Sequence, residues 1–130
     1  MNPSARRVAP RENMDTQTVV TVGIGALLAW QLSRAFLGKV APDKARALVD
    51  AGARLVDVRS PGEHSGGHIK GSVNIPVGEV SARLAEFGEK DKPIVVYCAS
   101  GVRSASAAKT LRGAGFSDVH DLGSIARWPG

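Results

Sequence analysis

Pro93-Ile94-Val95-Val96-Tyr97 is a short, unbroken apolar run that ends on the chain's single cysteine. The residues that follow Cys98, Ala99-Ser100-Gly101-Val102-Arg103, lead straight into a helix-forming run from Ser104 to Arg112. An apolar run bounded by turn residues reads as a buried strand, and a strand that turns directly into a helix belongs to an alternating α/β chain built on a parallel sheet. The same order sets the Cys98 sulfur over the first amides of the helix. Those N–H groups have no intrahelical partner and carry the positive end of the helix dipole. Arg103 adds a full cation at the far end of the loop. Each of these favours thiolate over thiol, and the thiolate is the nucleophile. A cysteine behind a Val/Ile strand is otherwise an inert core thiol. A core thiol has no need of a Ser-Gly-x-Arg turn opening a helix.

The same alternation continues on both sides of this stretch. Ala41-Pro42-Asp43 opens a helix whose buried face is marked by Ala45, Leu48 and Val49 and which ends at Gly52. Leu55-Val56-Asp57-Val58 reads as a short buried strand, Arg59-Ser60-Pro61-Gly62 as a turn, and Glu63 to Gly67 as at most one helical turn. Ser72 to Ile75 reads as a second strand closed by Pro76. Val80, Leu84 and Phe87 fall at helical spacing and predict another helix ending at Gly88. Val119 to Leu122 is a last strand and Ile125 to Trp128 a terminal turn. Strands separated by helices predict a parallel sheet covered on both faces, with ligands beyond the C-terminal strand ends. Asp57 with Arg59, and Cys98, all follow strand ends, so the topology brings them to one rim.

Ahead of this domain, residues 1–17 have no apolar periodicity and read as disordered, with Met14 an alternative start to Met1. Residues 18–38 form a mostly apolar run interrupted by Gln31 and Arg34, and predict a hydrophobic helix acting as a transmembrane anchor. A secretion signal and a core or partner-binding helix are the alternatives. Lys39, Lys44 and Arg46 follow the segment, with Arg34 near its end, and place the C-terminal domain in the cytoplasm; Arg6, Arg7 and Arg11 argue for the opposite, extracytoplasmic orientation.

The formal net charge of +5 invites a nucleic-acid reading until it is located. Residues 1–39 hold five Lys/Arg against two acids and residues 40–130 twelve against ten, so the excess leans to the flanks of the apolar segment. Without a basic stripe interleaved with aromatics, nucleic-acid binding is not expected. One cysteine excludes an internal disulfide and a cysteine-based metal cluster, and an exposed lone thiol suits a reducing compartment. His64 and His120 read as exposed, with no ligand partners at metal spacing, so neither a metal nor a cofactor is expected.

Three blocks then match a known family. Asp57 to Pro76, reading DVRSPGEHSGGHIKGSVNIP, resembles the first signature of rhodanese-like domains; Val96 to Ala105, reading VYCASGVRSA, resembles their active-site loop; Asp121 to Trp128 resembles their closing motif. The resemblance runs from residue 40 to 130. It implies an α/β fold with a central parallel sheet flanked by helices, here behind an N-terminal hydrophobic helix, and sulfurtransferase chemistry through a cysteine persulfide. By that resemblance Cys98 is the sulfur-accepting nucleophile, the amides from Ala99 through Ser100, Gly101 and Val102 to Arg103 cradle the transferred sulfur, and Arg103 orients an anionic donor such as thiosulfate. Asp57, Arg59, Glu63 and His68 fall on positions that brace the loop and strand ends. His64 stands where an aromatic or aliphatic residue is usual, Ser124 replaces a common second glycine, and Ala99 replaces a common arginine or polar residue.

The chemistry expected of the loop is nucleophilic and covalent, with a thiol, cyanide or a protein as acceptor. Inward N–H groups must stabilise a negatively charged sulfur, and Gly101 allows the backbone conformation that such a nest requires. Arg59 reads as the partner of a carboxylate such as Glu63, Asp57 as satisfying loop amides, His68 as a structural histidine and Trp128 as a lid near the sheet end. Two alternatives compete. A cysteine phosphatase uses the same thiolate, amide cradle and arginine, but this loop has four residues between Cys98 and Arg103, one fewer than those enzymes resemble one another in having. The other is a membrane-tethered sulfur-relay or binding module with little free turnover.

Overall fold

A computed structural model describes residues 16–36 and 38–130. The chain divides into two units, Met1–Ala35 and Phe36–Gly130. In the first, helix α1 runs over Thr16–Phe36. Thr16 and Gln17 are therefore helical, where a disordered segment through residue 17 was expected; residues 1–15 lie outside the described set.

At 21 residues α1 is about long enough for a hydrocarbon core. Thr16, Gln17, Thr18, Thr21, Gly23 and Gly25 dilute its apolar content, and among the described residues no helix is long and apolar enough to cross a membrane. The expectation of a transmembrane anchor over residues 18–38 is therefore not supported. Residue 37 and the side chains of residues 30–36, part of that stretch, lie outside the described set.

The second unit is a four-stranded, all-parallel sheet in the order β2-β1-β3-β4, with β1 Arg54–Asp57, β2 Val73–Asn74, β3 Ile94–Cys98 and β4 Val119–Ser124. Side chains alternate along β3 with the period of two that a pleated strand imposes. Ile94, Val96 and Cys98 join one buried cluster, and Val95 and Tyr97 the other. Helix α4, Val102–Gly113, covers the first face through Ala107, Ala108 and Leu111. Helix α2, Pro42–Asp50, covers the second through Ala45, with Leu48, Val49, Ile125 and Trp128 beside it. Both faces of β3 are sealed, which is why its sequence is apolar without interruption.

The helix expected around Val80, Leu84 and Phe87 is two 3-10 turns, Val77–Ala82 and Leu84–Phe87. Arg83, at φ −123°, breaks the run between them. Val80 and Phe87 are nonetheless buried and Leu84 packs against the same cluster, so the spacing identified the inward residues but not the winding. A short helix α3, Pro61–Ser65, follows β1. It opens with a reciprocal cap in which the Ser60 hydroxyl accepts from the Glu63 N–H and the Glu63 carboxylate accepts from the Ser60 N–H.

Candidate active site

β3 delivers Cys98 to the C-terminal rim, and Gly101, at φ +98°, reverses the chain so that α4 starts at Val102. That left-handed conformation is open to glycine at little cost. It turns two backbone N–H groups onto the sulfur: Gly101 N–H donates to Cys98 Sγ at 3.0 Å and Ser104 N–H at 3.3 Å. The Ser104 hydroxyl, fully buried, lies 3.5 Å from the sulfur and donates to the Gly101 carbonyl at 3.1 Å. Burial pushes the Cys98 thiol up, but its hydrogen bond with the Ser104 side chain and those it accepts from the Ser104, Gly101 and Ser100 backbone outweigh it, leaving the thiol below its ordinary value.

Cys98 itself is 0 % exposed, where an exposed thiol was expected. The loop closes over the sulfur instead of framing it, because the amides that stabilise it must approach to about 3 Å. Ala99, Ser100 and Val102 face solvent, Val102 at 75 % exposure, and of the expected cradle from Ala99 to Arg103 it is the Gly101 N–H that bonds the sulfur, with the Ser100 backbone also acting on it. Ser104 was read from sequence as the first residue of a helix and not as part of the cradle. Its signal was a small hydroxyl residue placed one turn into that helix.

Arg103 is held by Glu63 of α3 and also interacts by charge with Cys98. Its guanidinium forms a two-pronged pair with the Glu63 carboxylate, at 2.6 and 3.0 Å. This holds the Glu63 carboxyl well below its ordinary 4.5, at about 2, with the Ser60 backbone bond adding to the effect. The partner of Arg59 is therefore not Glu63 but Asp57: Nε and Nη2 lie 3.0 and 2.8 Å from the carboxylate oxygens, and the Arg59 N–H donates to Oδ1 at 2.9 Å. Asp57 is fully buried and satisfies this turn, not the amides of the cysteine loop. Burial raises its carboxyl, and the bonds from Arg59 and His64 more than reverse that. Asn74 ties the same turn to β2 through the Asp57 and Arg59 carbonyls.

His64, expected to be exposed, is half-buried: its Nδ1 lies 2.9 Å from Asp57 Oδ2, and its ring stacks on His68 at 3.8 Å. His68 Nδ1 donates to the His64 carbonyl, in keeping with a structural role. His120, also expected to be exposed, is half-buried against Asp118. Ser124, in place of a second glycine, caps the terminal 3-10 turn by accepting from the Ala126 N–H. Trp128 packs into the α2-side cluster with the Arg46 guanidinium 5.5 Å over its ring. Among the described residues no group of His, Cys, Asp or Glu is placed to hold a metal ion.

A parallel sheet with helices on both faces, ending in a cysteine whose sulfur accepts two backbone N–H groups, is the scaffold of a cysteine-dependent enzyme. The model of the rhodanese-like domain matches residues 41–129, and the chain belongs to that family. It is 41 % identical over 91 residues to thiosulfate sulfurtransferase GlpE of Pseudomonas syringae pv. syringae, an alignment covering 69 % of this chain and 85 % of that protein. It is 44 % identical over 79 residues to the uncharacterized protein YqhL of Bacillus subtilis; that match covers 60 % of this chain but only 62 % of YqhL. Among solved structures, the human single-domain sulfurtransferase TSTD1 superposes with a TM-score of 0.64 at 30 % identity, over 70 % of this chain and 94 % of its own.

Proposed function

We propose that the chain transfers a sulfane sulfur from a thiosulfate-like donor to a thiophilic acceptor through a persulfide on Cys98. It is a rhodanese-type sulfurtransferase, and the observation that carries the reading is the pair of N–H groups from Gly101 and Ser104 converging on the sulfur. The Cys98 thiolate attacks the outer sulfur of thiosulfate. The S–S bond of the donor breaks, and sulfite leaves with the electron pair. The Cys98 persulfide anion keeps the negative charge, now one atom further into the amide ring. Cyanide or a thiolate then attacks that outer sulfur and returns the thiolate. No general base is required when nucleophile and leaving group are both stable anions. A thiosulfate-like donor is supported by the GlpE relatives. Phosphate ester chemistry is disfavoured by the length of the loop, whose four residues between Cys98 and Arg103 are one fewer than cysteine phosphatases resemble one another in having.

The test is mass spectrometry of the purified chain after thiosulfate treatment. One added sulfur on Cys98, removed by cyanide and absent in Cys98→Ser, is the expected result; a serine variant that still transfers sulfur at the wild-type rate overturns the assignment. A second reading, a relay module that serves a protein partner with little free turnover, is favoured by the complete burial of Cys98. Steady-state thiosulfate:cyanide turnover separates the two.

A further inference from the structure

Gly101 is gripped from both ends. Its N–H points at Cys98 Sγ, while its carbonyl accepts from Lys39 Nζ at 3.0 Å, a residue sixty-two positions earlier in the chain. Lys39 Nζ is fixed in turn by Asp121 Oδ2 at 2.6 Å, and Asp121 Oδ1 accepts from the Gly123 N–H at 2.8 Å. The two side chains of the ion pair are only 11 % and 4 % exposed. The pair sits where the register of β3 against β4 slips, Val96 facing Asp121 and Tyr97 facing Gly123. Lys39 also forms an isolated parallel bridge with Asp121, so main chain and side chain meet the same residue.

The lysine stem passes between two glycines in left-handed conformations. A Cβ on Gly101 would lie 3.5 Å from Lys39 Cε, and one on Gly123 would lie 3.4 Å from Lys39 Cδ. Both distances are ordinary van der Waals contact, so the positive φ of each turn, and not the passage of the lysine, is what calls for glycine there. The other charged groups near the loop are Arg103 with Glu63, Asp57 with Arg59, and Arg127, whose guanidinium donates to the Leu122 carbonyl beside Gly123; Arg103 also interacts by charge with Cys98.

We propose that Lys39, locked on Asp121, is a positioning residue for sulfur transfer: it holds the Gly101 carbonyl so that the Gly101 N–H meets the sulfur. This rests on the assignment of Cys98 as the sulfur carrier. The experiment measures the rate of Cys98 alkylation by iodoacetamide against pH in the full chain, with thermal melting alongside. The variants are Lys39→Met, which keeps an apolar stem and removes the charge, and Lys39→Arg, which keeps the charge. Lys39→Met is expected to raise the alkylation midpoint by about one pH unit, a roughly tenfold loss of rate below the midpoint. Lys39→Arg is expected to stay near wild type. If the orphaned Asp121 carboxylate unfolds Lys39→Met, the Lys39→Met/Asp121→Asn double variant removes that burden and is read in its place. A folded charge-free variant with the wild-type midpoint overturns the proposal and reduces Lys39 to a brace of the fold. Sulfur loading of the wild-type chain, read by mass, tests the Cys98 assignment separately, since alkylation reports the thiol whether or not sulfur is transferred.

Discussion

Replacing Asp57 with alanine strands a guanidinium. Arg59 is nearly buried, and its side chain makes its charge-assisted bonds to the Asp57 carboxylate, which is itself fully enclosed. In the alanine variant the Arg59 Nε and main-chain N–H and the His64 ring lose their acceptor together, and Arg59 Nη2 keeps only the Gly67 carbonyl. Breaking a buried pair from one side costs about 3–5 kcal/mol, because the remaining charge stays desolvated. A domain of this size has about 5–14 kcal/mol in total at roughly 0.05–0.15 kcal/mol per residue, and each kcal/mol moves its melting point by about 4–8 °C. Asp57→Ala is therefore expected to melt at least about 12 °C below wild type and to shift the urea midpoint at unchanged slope. Removing Arg59 as well takes away the stranded charge, so the double variant should lose less than the two single losses added, with an interaction of about 1–3 kcal/mol. The side-chain bonds made by Asp57 reach Arg59 and His64 but not the cysteine loop, so the alkylation midpoint of Cys98 should not move while the protein remains folded. A loss below about 1 kcal/mol in Asp57→Ala, or strict additivity in the double variant, refutes the reading of this pair as a structural clasp.

The thiol donates to Ser104 Oγ, and once that proton is lost the hydroxyl can turn from the Gly101 carbonyl to donate to the thiolate, so Ser104→Ala should raise the Cys98 alkylation midpoint by about one pH unit, in contrast to the Asp57 variant; an unmoved midpoint places the Ser104 hydroxyl outside the cradle. Glu63 binds its proton less tightly in the folded protein than in the unfolded chain, its carboxyl falling from 4.5 to about 2. Its contribution to stability is therefore complete above about pH 4.5 and is lost as the pH falls through about 2. The urea midpoints of wild type and Glu63→Gln should accordingly differ above pH 4.5 and converge near pH 2; a gap that ignores pH refutes the pairing with Arg103. Gly101→Ala forces a Cβ into a left-handed position against Lys39 and Gly123, and should cost about 1–2 kcal/mol in urea unfolding as well as slowing sulfur uptake; a variant as stable as wild type refutes the strain.

What could be read from the chain itself was whatever depends on neighbours in sequence. Apolar runs at Leu55–Val58 and Pro93–Tyr97, helix starts at Pro42 and beyond Gly101, and a cysteine ahead of helical amides are local patterns, and the strands and the thiolate cradle follow from them. The 3-10 winding after Pro76 escaped that reading, because burial of Val80 and Phe87 is compatible with more than one helical geometry and packing against the sheet and α4 decided between them. Pairing of charges escaped it more completely. Asp57, Glu63, Arg59 and Arg103 are close enough in chain and in topology to combine in several ways, and only the rim geometry assigns Arg59 to Asp57 and Arg103 to Glu63. Lys39 stood in the sequence as one more basic residue behind an apolar run; its bonds to Gly101 and Asp121 span 62 and 82 positions, and the β4 bulge creates them. Residue type and order determine which elements form and which atom is nucleophilic, since those rest on short-range sterics and hydrogen bonding. Which charge faces which, and how tightly the loop closes on its sulfur, depends on distances set by the folded sheet.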